Sequence, residues 1–314
     1  MVVAEGKPGS DGGPAGEVAA VGLGQSSNTA GIIAMLGAMA SFACGDSLMK
    51  LTSADLPTGE LVWLRSLLMV AATSLFALAT GAFRNAWRLL APPMMLRAFA
   101  DIGGAIAYQS ALARMAFADL TAISQVNPLL VTAASAIFLA ERVGWRRWTA
   151  ACVGLMGVLL IIRPGTSAFT WWSVVALLSV LCATTRDVAT KCIDRAVPAV
   201  LIIWVSSGVV GLGAMLLAFV ESWHWPAPHV VLQIVGAAVF SLMGHAFIIA
   251  AVRKGELSAV APFRYSIIVW ALILGYVIWG HFPDSMTLLG MAIVIGAGVY
   301  TFHRELAVRR KAQV

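Results

Sequence analysis

A chain of 314 residues that is 60% hydrophobic and 11% charged carries too little charge to keep a folded surface in water, where a domain has roughly 25%. Its net charge of +6 would suit a nucleic-acid binder, but the basic residues are scattered over short links between apolar runs, which is a pattern of membrane orientation. Those runs recur along nearly the whole chain, each long enough to cross a hydrocarbon core of about 30 Å.

Residues 1–29 are rich in Gly, Ala, Ser and acidic side chains, with Lys7 as their one basic residue. No basic stretch precedes an apolar core there, so the segment reads as a disordered cytoplasmic tail and not as a cleaved signal. Its Gly22-Leu23-Gly24 follows no strand and is no phosphate loop. Ten spans come next, at about 30–50, 59–79, 94–114, 118–139, 145–162, 168–190, 199–220, 229–251, 257–279 and 284–302. Turn residues divide them, as in Leu56-Pro57-Thr58-Gly59, Ala91-Pro92-Pro93, Arg163-Pro164-Gly165, Pro226-Ala227-Pro228 and Phe282-Pro283-Asp284. The links leave no room for a soluble catalytic domain. Residues 303–314 form a basic cytoplasmic tail with Arg304, Arg309, Arg310 and Lys311.

Alternate links carry most of the positive charge: Arg84, Arg88 and Arg97; Arg142, Arg146 and Arg147; Lys191 and Arg195; Arg253 and Lys254. The other set holds only Lys50, Arg114 and Arg163, all near span ends. That bias predicts two cytoplasmic termini, in agreement with an even number of spans. Cys44, Cys152, Cys182 and Cys192 fall in apolar segments or at their ends, without a CxxC pair. They read as packing residues, and neither a disulfide framework nor a metal site is implied. Trp171, Trp172, Trp223, Trp225 and Trp279 stand at span ends, where an interfacial belt is expected.

The chain repeats itself. Asp46-Ser47-Leu48-Met49-Lys50 in the first span matches Asp187-Val188-Ala189-Thr190-Lys191 in the sixth, at an offset of 141 residues that also carries Trp63 onto Trp204. Further on, Asp119-Leu120-Thr121-Ala122-Ile123 matches Glu256-Leu257-Ser258-Ala259-Val260 at an offset of 137, with Pro128 and Pro262 following. An odd number of spans separates the copies, so the second half runs upside down relative to the first. The fold expected is therefore all-α and integral to the membrane: ten transmembrane helices as two inverted five-helix repeats, residues 30–162 and 168–302. Inverted repeats build transporters that open to one side and then to the other. Gly154 and Gly157 in the fifth span, with Gly290, Gly296 and Gly298 in the tenth, mark close-packing helices.

Ile123-Ser124-Gln125-Val126-Asn127-Pro128, an apolar run to Phe138-Leu139-Ala140-Glu141-Arg142, and then Trp148, Gly154 and Gly157 resemble the EamA repeat of the drug/metabolite transporter superfamily. The resemblance covers about residues 30–302, in both halves, and within the superfamily is greatest to bacterial inner-membrane exporters of amino acids and related metabolites. One departure is Gly280-His281, where the repeat glutamate would stand after the ninth span. The resemblance implies a central cavity bordered by the third, fourth, eighth and ninth spans, with the fifth and tenth at the periphery. It also implies a multi-pass protein of the bacterial inner membrane.

Ionisable groups inside a bilayer cost several kcal/mol unless paired or hydrated, so each needs a reason. Asp101 and Tyr108 lie two turns apart on one face of the third span. Gln125 and Asn127 flank Pro128, whose missing N–H frees the carbonyl near Ser124. His245 lies within the eighth span, and Arg264, two residues past Pro262, roughly 10 Å deep in the ninth. These six are the expected substrate-binding residues. Each has a plainer reading. Arg264 and Asp101 would neutralise each other, or Arg264 would hold a substrate carboxylate. Asp46–Lys50 and Asp187–Lys191 fit local helix pairs, Arg65 would pair with Asp46 or Glu60, and Arg186 would snorkel to the cytoplasmic face.

The function expected is a secondary transporter that exports amino acids, aromatic or large apolar ones first, or related metabolites, by alternating access. Another amphiphilic metabolite or drug is the alternative. Its partners would be the small-molecule substrate and the lipid bilayer, with protons if Asp101 or His245 carries one; no nucleic acid is implied, and a homo-oligomer is left open. No cofactor is called for. An intramembrane enzyme would need a nucleophile with its base, paired aspartates in a Gly-Asp context or a HExxH motif, and the sequence has none; His224 and His229 lack an acid at metal-ligand spacing. A sensor would need an output domain.

Overall fold

In lipid the backbone finds no outside hydrogen-bonding partner, so spanning segments must be helical. The computed structural model describes residues 14–83, 91–140, 144–166, 169–194, 196–255 and 257–312. Within them lie α1 (Pro14–Thr52), α2 (Thr58–Ala79), α3 (Pro92–Arg114), α4 (Phe117–Ser124), α5 (Asn127–Phe138) and α6 (Trp145–Ile162). The second half holds α7 (Trp171–Lys191), α8 (Ala199–Met215), α9 (Pro228–Lys254), α10 (Leu257–Val260), α11 (Ser266–Trp279) and α12 (Ser285–Ala312). Among the described residues, nine helical segments are long and apolar enough to cross a membrane. The tenth crossing is α3, whose 23 residues exceed the roughly 20 needed. It is less apolar because it carries Arg97, Asp101 and Arg114. Two spans are broken: α4 and α5 share one, and α10 and α11 share another through a 3-10 turn at Ala261–Tyr265. The breaks fall beside Pro128 and Pro262, which cannot donate to the preceding turn.

One expectation about the ends needs correction. Residues 14–29, expected to be disordered, are helical from Pro14 onward. A proline is well suited to begin a helix, and Ala, Glu and Val follow it. Residues 1–13 lie outside the described residues. The basic tail likewise continues α12 as far as Ala312, its Arg, Lys, Leu and Ala being good helix formers.

The halves are interleaved. α1 packs along α9, α3 along α7, α2 along α8 and α6 along α12, and each contact joins one repeat to the other. The first two contacts are counterparts, since first-with-eighth maps onto sixth-with-third when the repeats are exchanged. Outward faces are apolar and bare, as at Phe138 (76% exposed) and Val277 (72%), which suits contact with lipid. The largest buried cluster gathers at the end of the bundle opposite the termini, with Met49, Leu56, Leu61, Leu112, Phe117, Ile161 and Val230. At the terminus-side end the buried clusters are smaller, among them Ala77, Ala82, Val197 and Leu201. Near the sealed end Arg163 pairs with Asp284; the guanidinium and the Thr287 amide hold that exposed carboxyl well below the usual carboxylate range.

The contact of α6 with α12 is backbone on backbone. A Cβ on Gly157 would stand 2.9 Å from the Gly290 carbonyl oxygen, and one on Gly290 would stand 2.6 Å from that of Gly157. Nothing at those points can rotate aside. Gly157→Leu is therefore expected to lower the stability of the detergent-purified protein by about 1–3 kcal/mol, read as a lower midpoint in thermal unfolding; an unchanged midpoint would mean the helices separate freely.

Candidate functional site

Between the two halves lies a cavity of about 480 Å³. All six residues expected at a site line it: Asp101 and Tyr108 from α3, Gln125 and Asn127 around the α4–α5 break, His245 from α9 and Arg264 from the 3-10 turn. The wall is wider than the four spans implied by resemblance. Asp46 and Met49 of α1, Arg65 of α2, Arg186 of α7 and Ser206 of α8 also face it. A smaller cavity of about 290 Å³ lies at the end opposite the termini, lined by Lys50, Asp119, Arg163, Trp279 and His281.

The polar groups are wired in a way the sequence did not foretell. Asp101 is 8% exposed and lies 3.6 Å from Arg97 and 3.7 Å from Arg186. Ser206 adds a hydroxyl donor to it. Arg186 also meets Asp187 at 2.8 Å. The expected Arg264–Asp101 pair is thus absent among the described residues, because Asp101 faces two nearer arginines. Arg186 stays in the cavity wall instead of snorkelling, held by two carboxylates. Arg97, read as an orientation charge, is a cavity residue; its i,i+4 spacing to Asp101 was the available signal.

Asn127 ties α5 to α7. Its amide donates to Asp187 at 2.7 Å, and its carbonyl oxygen accepts from Thr184 at 2.9 Å. Tyr108 donates its hydroxyl to Asp46 at 2.8 Å, so its ring and the acceptor side of its oxygen remain for a ligand. Lys50 leaves Asp46 for two backbone carbonyls, those of Leu112 (2.6 Å) and Met115 (2.7 Å). The local Asp46–Lys50 pair is therefore not made: unpaired carbonyls at the end of α3 lie within reach and attract the ammonium. Lys191 reaches Ser135 of α5 at 2.8 Å. Trp279, expected in the interfacial belt, lies under the Lys50 ammonium, 5.6 Å from ring centre to nitrogen.

Arg65 bonds the Ser241 hydroxyl at 2.9 Å and meets no carboxylate within ion-pair distance among the described residues. His245 Nδ1 lies 2.7 Å from the Ser241 carbonyl. A carbonyl only accepts, so Nδ1 carries hydrogen, and in the neutral ring Nε2 is left as an acceptor. Pro128 cannot donate to the Ser124 carbonyl four residues back, and Ser124 also lines the cavity. The lining thus holds four arginines (Arg65, Arg97, Arg186, Arg264) against two aspartates (Asp46, Asp101). Arg264 is exposed to the cavity without a carboxylate partner among the described residues.

Since Asp101 separates Arg97 from Arg186, Asp101→Ala is expected to destabilise the protein by about 1–3 kcal/mol. That is less than loss of a fully buried partner, because Arg186 is 36% exposed. Thermal unfolding in detergent measures it; an unshifted midpoint would show that solvent alone screens the two guanidiniums.

The wider comparisons point the same way as the geometry. The EamA-like transporter family matches twice, over residues 29–163 and 170–302. The chain is similar to the pseudopaline exporter CntI of Pseudomonas aeruginosa, 26% identical over 272 residues, covering 85% of this chain and 94% of the exporter. It is also similar to the S-adenosylmethionine uptake transporter of Rickettsia felis, 25% identical over 59% of this chain and 63% of that protein. A riboflavin transporter of Rhizobium johnstonii is 23% identical over 66% and 69%. One solved crystal structure superposes with a TM-score of 0.60 at 20% identity, covering 90% of this chain and 98% of the other, and so shares the fold. With ten crossings in two inverted repeats around one polar cavity, and both repeats matched, this multi-pass membrane protein belongs to the EamA-like transporter family.

Proposed function

We propose that the chain exports an amino acid or an amino-acid-derived metabolite bearing at least one carboxylate across the bacterial inner membrane. The observation that carries this reading is the surplus of guanidinium charge in the cavity. Asp101 and Asp187 are occupied by Arg97 and Arg186, and Asp46, bonded only by the neutral Tyr108 hydroxyl, offers its charge to Arg65 in the same cavity wall. Arg264 is left to meet charge from elsewhere, and a carboxylate is the planar partner a guanidinium binds in two-pronged fashion. Met49, Val62, Met69, Val180, Ile203 and Val210 supply an apolar wall in the same cavity. A large apolar side chain suits that wall, and the ring of Tyr108 would serve an aromatic one.

The bias of Lys and Arg supports cytoplasmic termini. Export is favoured over uptake by the fuller overlap with an exporter, matched over 94% of its length, than with an uptake transporter, matched over 63%. In this reading substrate enters from the terminus side, binds near mid-membrane and leaves after the repeats rock.

The test is reconstitution in liposomes loaded in turn with labelled large apolar, aromatic and dicarboxylic amino acids. Saturable efflux is expected, with KM raised about tenfold or more in Arg264→Ala and only partly restored in Arg264→Lys, whose ammonium keeps the charge without the two-pronged geometry. Equal flux by wild type and Arg264→Ala would remove Arg264 from the site. Flux confined to cations lacking a carboxylate would overturn the substrate class.

A further inference from the structure

One layer of hydrogen bonds separates the two cavities, and it is built on one copy of the duplicated motif. Lys50 lines the smaller cavity, while Asp46, Met49, Tyr108 and Gln109 line the larger. Within that layer Lys50 caps the carbonyls of Leu112 and Met115, Tyr108 donates to Asp46, and Gln109 donates to the Met49 carbonyl at 3.4 Å. Each bond joins the end of α1 to the end of α3. Met49, Leu56, Leu112 and Phe117 of the largest buried cluster belong to the same level and thicken that layer.

The second copy is differently engaged. Asp187 holds Asn127 and Arg186, and Lys191 holds Ser135, so both turn to α5 or to their own helix. Yet the lysine and its two acceptor carbonyls have counterparts. At the offset of 141, Asp46 and Lys50 map onto Asp187 and Lys191. The helix ends correspond as well: α3 closes on the C-cap Met115 and α9 on the C-cap Gly255, an offset of 140 that carries Leu112 onto Val252 and Met115 onto Gly255.

We propose that Lys50 and Lys191 are alternating gate latches. Lys50 holds α3 in the state described here, closed opposite the termini. In the opposite state Lys191 takes the carbonyls of Val252 and Gly255 at the end of α9, and the terminus side closes. The exchange keeps one ammonium docked at a helix C-terminus in each state, where the last carbonyls lack helical donors. This inference rests on the alternating-access part of the proposed function and not on the identity of the substrate.

The experiment places a single cysteine at Ala105, in the cavity wall, with Cys44, Cys152, Cys182 and Cys192 replaced by alanine. A membrane-impermeant maleimide is then applied to one face of oriented vesicles at a time, without substrate. Wild type is expected to label from the terminus side and only slowly from the other. Lys50→Met should raise labelling from the far side about tenfold, with Lys50→Arg near wild type and Tyr108→Phe in between. Lys191→Met should move labelling the opposite way, further toward the terminus side. A monodisperse Lys50→Met protein with unchanged far-side labelling overturns the proposal. So does a Lys191→Met protein that shifts in the same direction as Lys50→Met. Where a methionine variant does not purify, Tyr108→Phe alone decides, because loss of its hydroxyl must also raise far-side labelling. Absence of amino-acid flux would leave these labelling results intact, so a wrong substrate and a wrong latch are told apart.

Discussion

A charge placed within a hydrocarbon layer must meet a counter-charge, a dipole or water, and that demand organises this protein more than any apolar contact does. Lipid gives helices no hydrophobic reason to associate. What draws the repeats together is glycine-lined contact at α6 and α12 and a chain of polar bonds through the centre. Asp101 lies between two guanidiniums, Asp187 between Arg186 and Asn127, and Asp46 under Tyr108. With those carboxylates counted, Arg264 is the guanidinium that lines the cavity without a carboxylate partner among the described residues.

The same demand explains the broken helices. Pro128 and Pro262 each remove a donor, which no buried helix in lipid tolerates without compensation. Here the break lies against the cavity, where Ser124, Gln125 and Asn127 on one side and Arg264 on the other face the interior. Asn127 and Arg264 stand 137 residues apart and so occupy equivalent places in the two repeats. One is tied to the opposite repeat through Asp187 and Thr184. The other is exposed to the cavity. Two copies of one element have thereby taken a structural and an exposed form.

Spans and duplication were legible in the sequence because apolar length and motif offset are local properties of a chain. The candidate residues were legible as well, since an ionisable group within a span is conspicuous, and all six face one cavity. Partners were not. Asp101 and Arg186 are 85 residues apart on α3 and α7, and only the crossing of those helices joins them. Local spacing suggested Asp46–Lys50, but the helix end presented to Lys50 belongs to α3, which spacing along α1 cannot reveal. Arg97 was hidden by its position near the start of a span, where arginines usually report orientation. The extension of α1 to Pro14 went unread because Gly and Ser content argued for disorder while backbone continuity from the first span favoured helix.

The central claim, that spare guanidinium charge selects a carboxylate, is tested most directly by competition. Efflux of a labelled large apolar amino acid from liposomes would be measured against the unlabelled acid and against the matching amine that lacks the carboxyl group. The account predicts that the acid competes and the amine does not, and that the difference shrinks in Arg264→Ala. Equal competition by the amine would contradict it, and would mean that the cavity arginines serve the fold alone.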